Sequence, residues 1–304
     1  QTINGLSGAG TVDGTSGTPT FTVGDNNQTS SFSGIIKNTA GTLALTKIGS
    51  GTLTLSGANT FTGGLNLTAG TLVATVAGAF GTSSNTLYFK GGNLELRAAA
   101  TTFTGKLDTT NADGAITINP ASLGDGVTHT ISGATTLGSH TITISAGALT
   151  NPNTAYGLTL SGATTLSGTN IFTVNNNGSG IGTLTISGII SGNGSITKNG
   201  AGTLTLSGAN TYTGVTTISA GILKVGNATA LGTIEGKTVV SDGAALDLNG
   251  ITITNAEPLD LNGTGVSGSG AVYNSSATAA SVGAGGITLV TASTIKASSG
   301  NITL

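Results

Sequence analysis

The chain has 304 residues, of which 58 are Thr, 52 Gly and 30 Ser, and its formal net charge is −2 at pH 7. Low charge and a mean hydropathy of +0.27 exclude a disordered chain, and irregularly spaced Gly with only 4 Pro excludes collagen. No apolar run is long enough for a membrane helix, and 9 scattered Lys and Arg form no basic patch, so neither membrane insertion nor a nucleic-acid partner is expected.

The first predicted elements belong to a long repeat unit near residues 33–97. Residues 52–55 (TLTL) alternate polar and apolar side chains, which predicts a strand with Leu53 and Leu55 on its inner face. Residues 56–59 (SGAN) predict a turn, residues 65–67 (LNL) a second short strand, and residues 69–70 (AG) another turn.

The middle of the chain carries a looser series of the same type. Residues 131–137 (ISGATTL) and 160–166 (LSGATTL) are near copies, and residues 141–144 (TITI) resemble the TLTL strand. No linker interrupts this series, which predicts one domain over residues 1–304.

A second long unit near residues 187–249 repeats the first. Residues 46–63 read TKIGSGTLTLSGANTFTG, and residues 197–214 read TKNGAGTLTLSGANTYTG. Leu204 and Leu206 match Leu53 and Leu55 and are expected to point inward. Asn59 and Asn210 share a repeat position, where they are expected to be stacked turn residues.

Strands of three to five residues, recurring about every ten residues, are too short to bury a face as hairpins. Stacked as coils about 4.8 Å apart, each coil covers the apolar face of its neighbour. The pattern therefore predicts an all-β fold, a single parallel β-solenoid in the form of an elongated rod. At about 20 to 25 residues per coil the chain would make about 12 to 15 coils. A string of β-sandwiches or barrels with antiparallel hairpins is the alternative architecture.

The segment from Ile196 to Val225 and its copy from Thr46 to Val73 resemble the autotransporter-associated, or passenger-associated, β-strand repeat. The two copies cover about a fifth of the chain. The resemblance implies a right-handed β-helix that forms a secreted stalk on a bacterial surface, in adhesin-like proteins. The absence of Met also predicts a processed secreted chain or a piece of a longer one.

Few residues could perform catalysis or bind metal. With no Cys, thiol catalysis and zinc–thiolate sites are excluded. His129 and His140 with Asp125 could form a metal site, but turn or solvent-facing histidines are expected instead. Four Asp-Gly pairs predict turns rather than calcium coils: Asp13, Asp113, Asp125 and Asp242.

A polysaccharide enzyme needs clustered carboxylates. Glu95 and Asp247 hold equivalent repeat positions, which predicts a repeated surface carboxylate, and Arg97 is the only arginine. Residues 263–268 (GTGVSG) and 232–238 (GTIEGKT) resemble nucleotide loops, but no helical pattern follows either. We therefore expect no enzyme, no catalytic, cofactor or metal site and no cofactor. Surface Asn-x-Ser/Thr triplets leave glycosylation open.

The residues up to Ile302 and Thr303 remain strand-like, which predicts open coil ends that pair with further copies of the chain. The predicted function is a secreted structural protein that forms an extracellular or cell-surface filament by head-to-tail association. The alternative is a stalk or passenger segment of an autotransporter-like adhesin with a surface-binding or glycan-binding face.

Overall fold

The computed structural model describes residues 1–304, which form 34 β-strands, one 3-10 turn at Val266–Gly268 and no α-helix. The chain folds as two compact units. Unit 1 comprises Gln1–Thr136, Ile142–Gly162 and Asn177–Gly180, and unit 2 comprises Leu137–Thr141, Ala163–Asn176 and Ile181–Leu304. A single domain over residues 1–304 stays a prediction.

Unit 1 carries the strands numbered β1 to β18, with Leu137 of β16 and Thr141 of β17 assigned to unit 2. Their bounds in order are Thr2–Ile3, Thr11–Gly14, Thr20–Val23, Ser30–Phe32, Ile35–Asn38, Ala44–Lys47, Thr52–Leu55, Leu65–Leu67, Thr71–Ala74, Thr86–Phe89, Asn93–Arg97, Thr102–Phe103, Lys106–Asp108, Gly114–Asn119, Thr128–Ile131, Thr135–Leu137, Thr141–Ala146 and Tyr156–Leu160.

Three parallel sheets build unit 1, and successive strands of the chain alternate between them. The first runs β1-β3-β6-β8-β10-β13-β16, the second β4-β7-β9-β11-β14-β17 and the third β12-β15-β18, while β2 pairs with β5. Leu45 pairs with Leu65 and Leu65 with Leu87, so each coil stacks the same kind of side chain on the one before it.

Unit 2 carries strands β19 to β34. Their bounds in order are Thr164–Leu166, Thr169–Val174, Gly182–Ile186, Ile190–Gly192, Ser195–Asn199, Thr203–Leu206, Thr216–Ile218, Gly221–Val225, Thr238–Val240, Ala244–Asp247, Leu259–Gly263, Val272–Asn274, Ala280–Ser281, Ile287–Ser293, Ile295–Ala297 and Ile302–Thr303.

Two sheets of unit 2 have six strands each, in the orders β20-β23-β25-β27-β29-β32 and β21-β24-β26-β28-β30-β33. The short pairs β19-β22 and β31-β34 complete this unit. All these strand pairings are parallel, as in unit 1. The predicted all-β parallel solenoid is therefore confirmed, and a string of antiparallel sandwiches is wrong.

The core follows the alternation seen in the sequence. Leu53, Leu55, Leu204 and Leu206 are all buried, so their inward assignment is confirmed. The Thr residues between these leucines are only partly buried, since successive side chains of a strand point to opposite faces. The structure contains no helix that could span a membrane.

Candidate functional site

Outward-facing side chains of the first sheet in unit 1 form a row across the strands, because parallel register aligns them. Thr46 pairs with Asn66, Asn66 with Tyr88, and Tyr88 with Asp108. Tyr88 is partly exposed, whereas its strand neighbours Leu87 and Phe89 are buried. The row thus places one aromatic ring among hydroxyl, amide and carboxylate groups.

A cleft of about 280 Å³ lies beside Tyr88. Its shape depends on Gly64, which has φ +89° and lies under the tyrosine: a Cβ at this position would be 3.1 Å from Tyr88 Cε2. Asn85 is buried and holds the cleft wall, since its Oδ1 accepts from Gly64 N at 2.6 Å and its Nδ2 donates to Phe80 O at 2.6 Å. Hydroxyl-bearing side chains complete the lining: Thr42, Thr62, Ser84 and Thr86.

A buried lysine recurs in both repeat copies, and the sequence analysis missed it. Lys198 is fully buried, and its Nζ donates to the carbonyls of Asn199 at 2.9 Å, Gly200 at 2.8 Å and Ala220 at 3.1 Å. Three carbonyl acceptors match the three N–H groups of an ammonium. Burial lowers the pKa of Lys198 to about 7. The side chain joins its own turn to the turn of the next coil.

Lys47 repeats this arrangement in the first copy. Its Nζ donates to the carbonyls of Ile48 at 2.6 Å, Gly49 at 2.9 Å and Ala69 at 3.2 Å, and burial lowers its pKa. Gly70 has φ +66°, and a Cβ there would be 2.8 Å from Lys47 Nζ. The Ala-Gly turn after each lysine therefore requires glycine, both for its backbone angle and because a Cβ on Gly70 would clash with Gly51 O and Gly49 O.

Asn59 and Asn210 bridge three successive coils. Asn59 Oδ1 accepts from Ile36 N at 2.9 Å and its Nδ2 donates to Ala79 O at 3.0 Å. Asn210 makes the equivalent bonds, from Ile190 N at 2.8 Å and to Ala230 O at 2.6 Å. Both side chains are buried, so they are structural bridges rather than plain turn residues.

The second copy contains a buried polar group that the first copy lacks. Tyr212 Oη lies 2.6 Å from Thr216 Oγ1, and burial raises the pKa of Tyr212. Thr238, which pairs with Thr216 on the next coil, donates from Oγ1 to Glu257 Oε1 at 2.8 Å. Burial raises the pKa of Glu257 to about 7, and its Oε2 has no hydrogen-bond partner.

The structure places the two histidines in different surroundings. His129 is fully buried, its Nδ1 accepts from Thr101 N at 3.4 Å and its Nε2 lies 3.0 Å from Asn119 O. The expectation of a turn or solvent-facing residue is thus wrong for His129, whose position in β15 is on the same inner face as Ile131. His140 is partly exposed. No group of three His, Asp or Glu residues is arranged to hold a metal ion.

The Asp-Gly aspartates are dispersed, and the predicted turn is wrong for Asp13, which lies inside β2 where it pairs with Lys37 of β5. Asp13 accepts from Thr39 Oγ1 at 2.5 Å and lies 3.3 Å from Lys37 Nζ, and the bond from Thr39 leads in lowering its pKa. Asp125 accepts from Asn151 Nδ2 at 3.2 Å. Asp242 and Asp113 are exposed. Asp242 lies in a turn as predicted, and the absence of calcium coils stays a prediction.

Glu95 and Asp247 differ from the prediction of a repeated surface carboxylate. Glu95 is partly buried and accepts from Arg97 Nε at 2.6 Å and Asn119 Nδ2 at 2.7 Å. Asp247 is buried and accepts from Asn249 N at 2.9 Å and from Ser275 Oγ at 2.7 Å. The surface assignment is wrong for Asp247, because its carboxylate joins two turns.

The other sequence motifs have ordinary structural roles. Residues 263–268 leave β29 and pass into the 3-10 turn, and residues 232–238 lead into β27, so no α-helix follows either loop. Among the Asn-x-Ser/Thr positions, Asn193 is exposed, whereas Asn274 is buried and donates to the carbonyls of Thr278 and Gly300. Asn27 and Asn301 are also exposed, and four further positions are partly buried: Asn66, Asn177, Asn227 and Asn262.

These features define a class of protein: a parallel β-solenoid whose repeat joins its own turns through buried lysine and asparagine side chains. The family model of the Passenger-associated-transport-repeat matches residues 45–74 and 196–225, the two segments that contain these side chains. The chain is therefore an autotransporter passenger-associated repeat protein. The Adhesin BmaC autotransporter of Brucella suis biovar 1 (strain 1330) is 31% identical over 248 residues, which are 81% of this chain and 5% of that protein. The chain thus spans a small part of the length of this relative. No solved structure matches it.

Proposed function

We propose that the chain is a stalk segment of an autotransporter passenger, displayed at the cell surface or secreted, which serves in adhesion and not as an enzyme. The proposal rests on one observation: the two segments that match the passenger-associated repeat are the segments that contain the buried lysines Lys47 and Lys198. The similarity of an autotransporter adhesin to this chain, over 81% of its length, supports the same function. A stalk with this function requires a rigid surface and does not require a catalytic centre.

The structure of the repeat suits a stalk outside the cell. Lys198 and Asn210 satisfy backbone groups of their own and neighbouring coils, and the chain contains no Cys. Coil stacking therefore depends on neither a disulfide nor a bound metal at these turns. A segment of this kind can be lengthened by adding coils, because each coil contacts only its neighbours.

Surface labelling of the source bacterium tests the proposal. Antibodies raised against residues 1–304 should label intact cells or the culture medium, with a periplasmic marker as the control for leakage. Labelling that requires permeabilised cells would overturn it. Head-to-tail association of copies is a separate proposal, which negative-stain microscopy of the purified chain tests: fibres support it and isolated particles contradict it. The adhesin relative supports the passenger segment over such a filament.

A further inference from the structure

We propose that the cleft beside Tyr88 binds a saccharide that carries carboxylate groups. The proposal rests on the adhesive passenger function and names the ligand class for it. Four independent features carry it: the aromatic ring, the uncommitted hydroxyls, the two lysines and the absence of the arrangement from the second repeat copy.

Tyr88 supplies an aromatic platform. The edge of its ring lies against Gly64, where no side chain intervenes, and the ring is partly exposed. An aromatic side chain combines an apolar face with a polar tip and loses little conformational freedom on binding. The apolar C–H face of a pyranose ring can stack on such a platform.

The cleft offers hydrogen-bonding groups that the protein itself leaves unused. The hydroxyls of Thr42 and Thr86 line it and make no hydrogen bond within the protein, whereas Thr62 Oγ1 donates to Asn38 Oδ1 at 3.2 Å. The exposed lining of the cleft is mainly polar, which suits a ligand rich in hydroxyl groups. Sugar hydroxyls both donate and accept, as a threonine hydroxyl requires.

Two lysines give the cleft its preference for carboxylates. Both lysines lie outside the cleft lining: Lys90 Nζ lies over the Tyr88 ring, 5.9 Å from its centroid, and Lys106 pairs in register with Thr86 of the lining. Neither lysine forms an ion pair. Asp108 beside Tyr88 carries one opposing charge, with its Oδ1 accepting from Thr110 N at 2.8 Å and Thr110 Oγ1 at 2.6 Å, so the two lysines leave this surface with a net positive charge.

The second repeat copy shows that the fold does not need this arrangement. Val239 and Val215 stand where Tyr88 and Gly64 stand in the first copy. Val239 takes the same outward place on β27, since it pairs with Thr217. The coil therefore forms with valine at this position, so packing of the repeat does not account for Tyr88.

Titration calorimetry with the purified 304-residue chain tests the proposal on three probes. Trigalacturonate and sialyllactose carry the carboxylate in a uronic or a sialic acid and distinguish these two sources, and lactose is the neutral probe. We expect at least one acidic probe to bind, more weakly at high salt. The Tyr88→Val variant, which installs the residue of the second copy, should weaken binding by about tenfold or more.

Val239→Ala is the matched control and should leave binding unchanged, and both variants must unfold at the wild-type denaturant midpoint. Lys90→Ala with Lys106→Ala should remove the salt dependence while Tyr88 is intact. Absence of binding by both acidic probes, binding retained in Tyr88→Val, or equal binding of lactose would overturn the proposal. Surface labelling of cells tests the passenger function independently. A negative calorimetry result would therefore overturn saccharide binding at the cleft but not the passenger function.

Discussion

Tyr212 Oη and Thr216 Oγ1 are 2.6 Å apart inside the second repeat copy, at the two positions where the first copy has Phe61 and Leu65. All four side chains are buried. The same buried space is therefore filled by an apolar pair in the first copy and by a hydrogen-bonded pair in the second. A buried hydroxyl is costly only when it lacks a partner, so the two changes compensate each other.

The Tyr212–Thr216 pair should show coupling in a double-mutant cycle. Tyr212→Phe and Thr216→Leu should each lower the free energy of unfolding by about 1 to 3 kcal/mol, because each leaves one buried hydroxyl unpaired. The double variant restores the pair of the first copy and should lose less than the sum of the two. Urea titration measures all four proteins, and strict additivity would contradict the compensation.

The lysine bridges should contribute to stability through their three carbonyl contacts. Lys198→Met leaves the carbonyls of Asn199, Gly200 and Ala220 without this donor and should cost about 2 to 4 kcal/mol at pH 6. Lys237→Met is the control, because Lys237 is half-exposed in an ion pair with Asp260 and should cost less than about 1 kcal/mol. Equal effects of the two substitutions in urea titrations would show that the bridge does not stabilise the coil.

Truncation of an inner leucine should reveal the core assignment directly. Leu204→Ala should lower the free energy of unfolding by about 2 to 5 kcal/mol, since the fully buried side chain leaves a cavity. Thr205→Ala, on the outer face of the same strand, should change it by less than about 1 kcal/mol. Similar losses for both in denaturant titrations would contradict the inner placement of Leu204.

Alternation predicted much of this fold because its rule is local. Leu53 and Leu204 were placed inward from their own strands, and the structure agrees. The same alternation also places two polar residues on inner faces. Lys47 is two residues after buried Leu45, and His129 is two residues before buried Ile131, so both lie on inner faces. The carbonyls that compensate the burial of Lys47 come from turns whose positions the local pattern does not predict.

The cleft could not be predicted in this way. It depends on Tyr88 of one coil lying over Gly64 of the coil before it, which requires the register between Leu65 and Leu87. Coil length varies along the chain, since Leu45 pairs with Leu65 but Leu107 pairs with the more distant Thr135. The sequence alone therefore does not show which residues of successive coils are neighbours; the strand pairing is needed for that.

Unit 2 should be least stable near neutral pH, because two buried groups act in opposite directions. Glu257 has a folded-state pKa raised to about 7 from the ordinary 4.5, so between these values the folded chain holds a proton that the unfolded chain has lost. Its contribution is full below pH 4.5 and is lost as the pH rises through 7. Lys198 has a folded-state pKa lowered to about 7 from 10.5, so the unfolded chain binds more protons between pH 7 and 10.5 and stability rises with pH across that window.

Unfolding free energies measured from pH 4 to pH 10 should therefore pass through a minimum. Glu257→Gln keeps the shape of the side chain and the bond with Thr238 but cannot ionise, so it should flatten the fall between pH 4.5 and 7 and leave the rise above pH 7. Lys198→Met should remove the rise in stability above pH 7 and leave the fall between pH 4.5 and 7. Glu235→Gln, at an exposed position, is the control and should leave the profile unchanged. A Glu257→Gln profile that falls as steeply as the wild type between pH 4.5 and 7 would show that other groups cause the fall and that the folded chain does not hold a proton on Glu257.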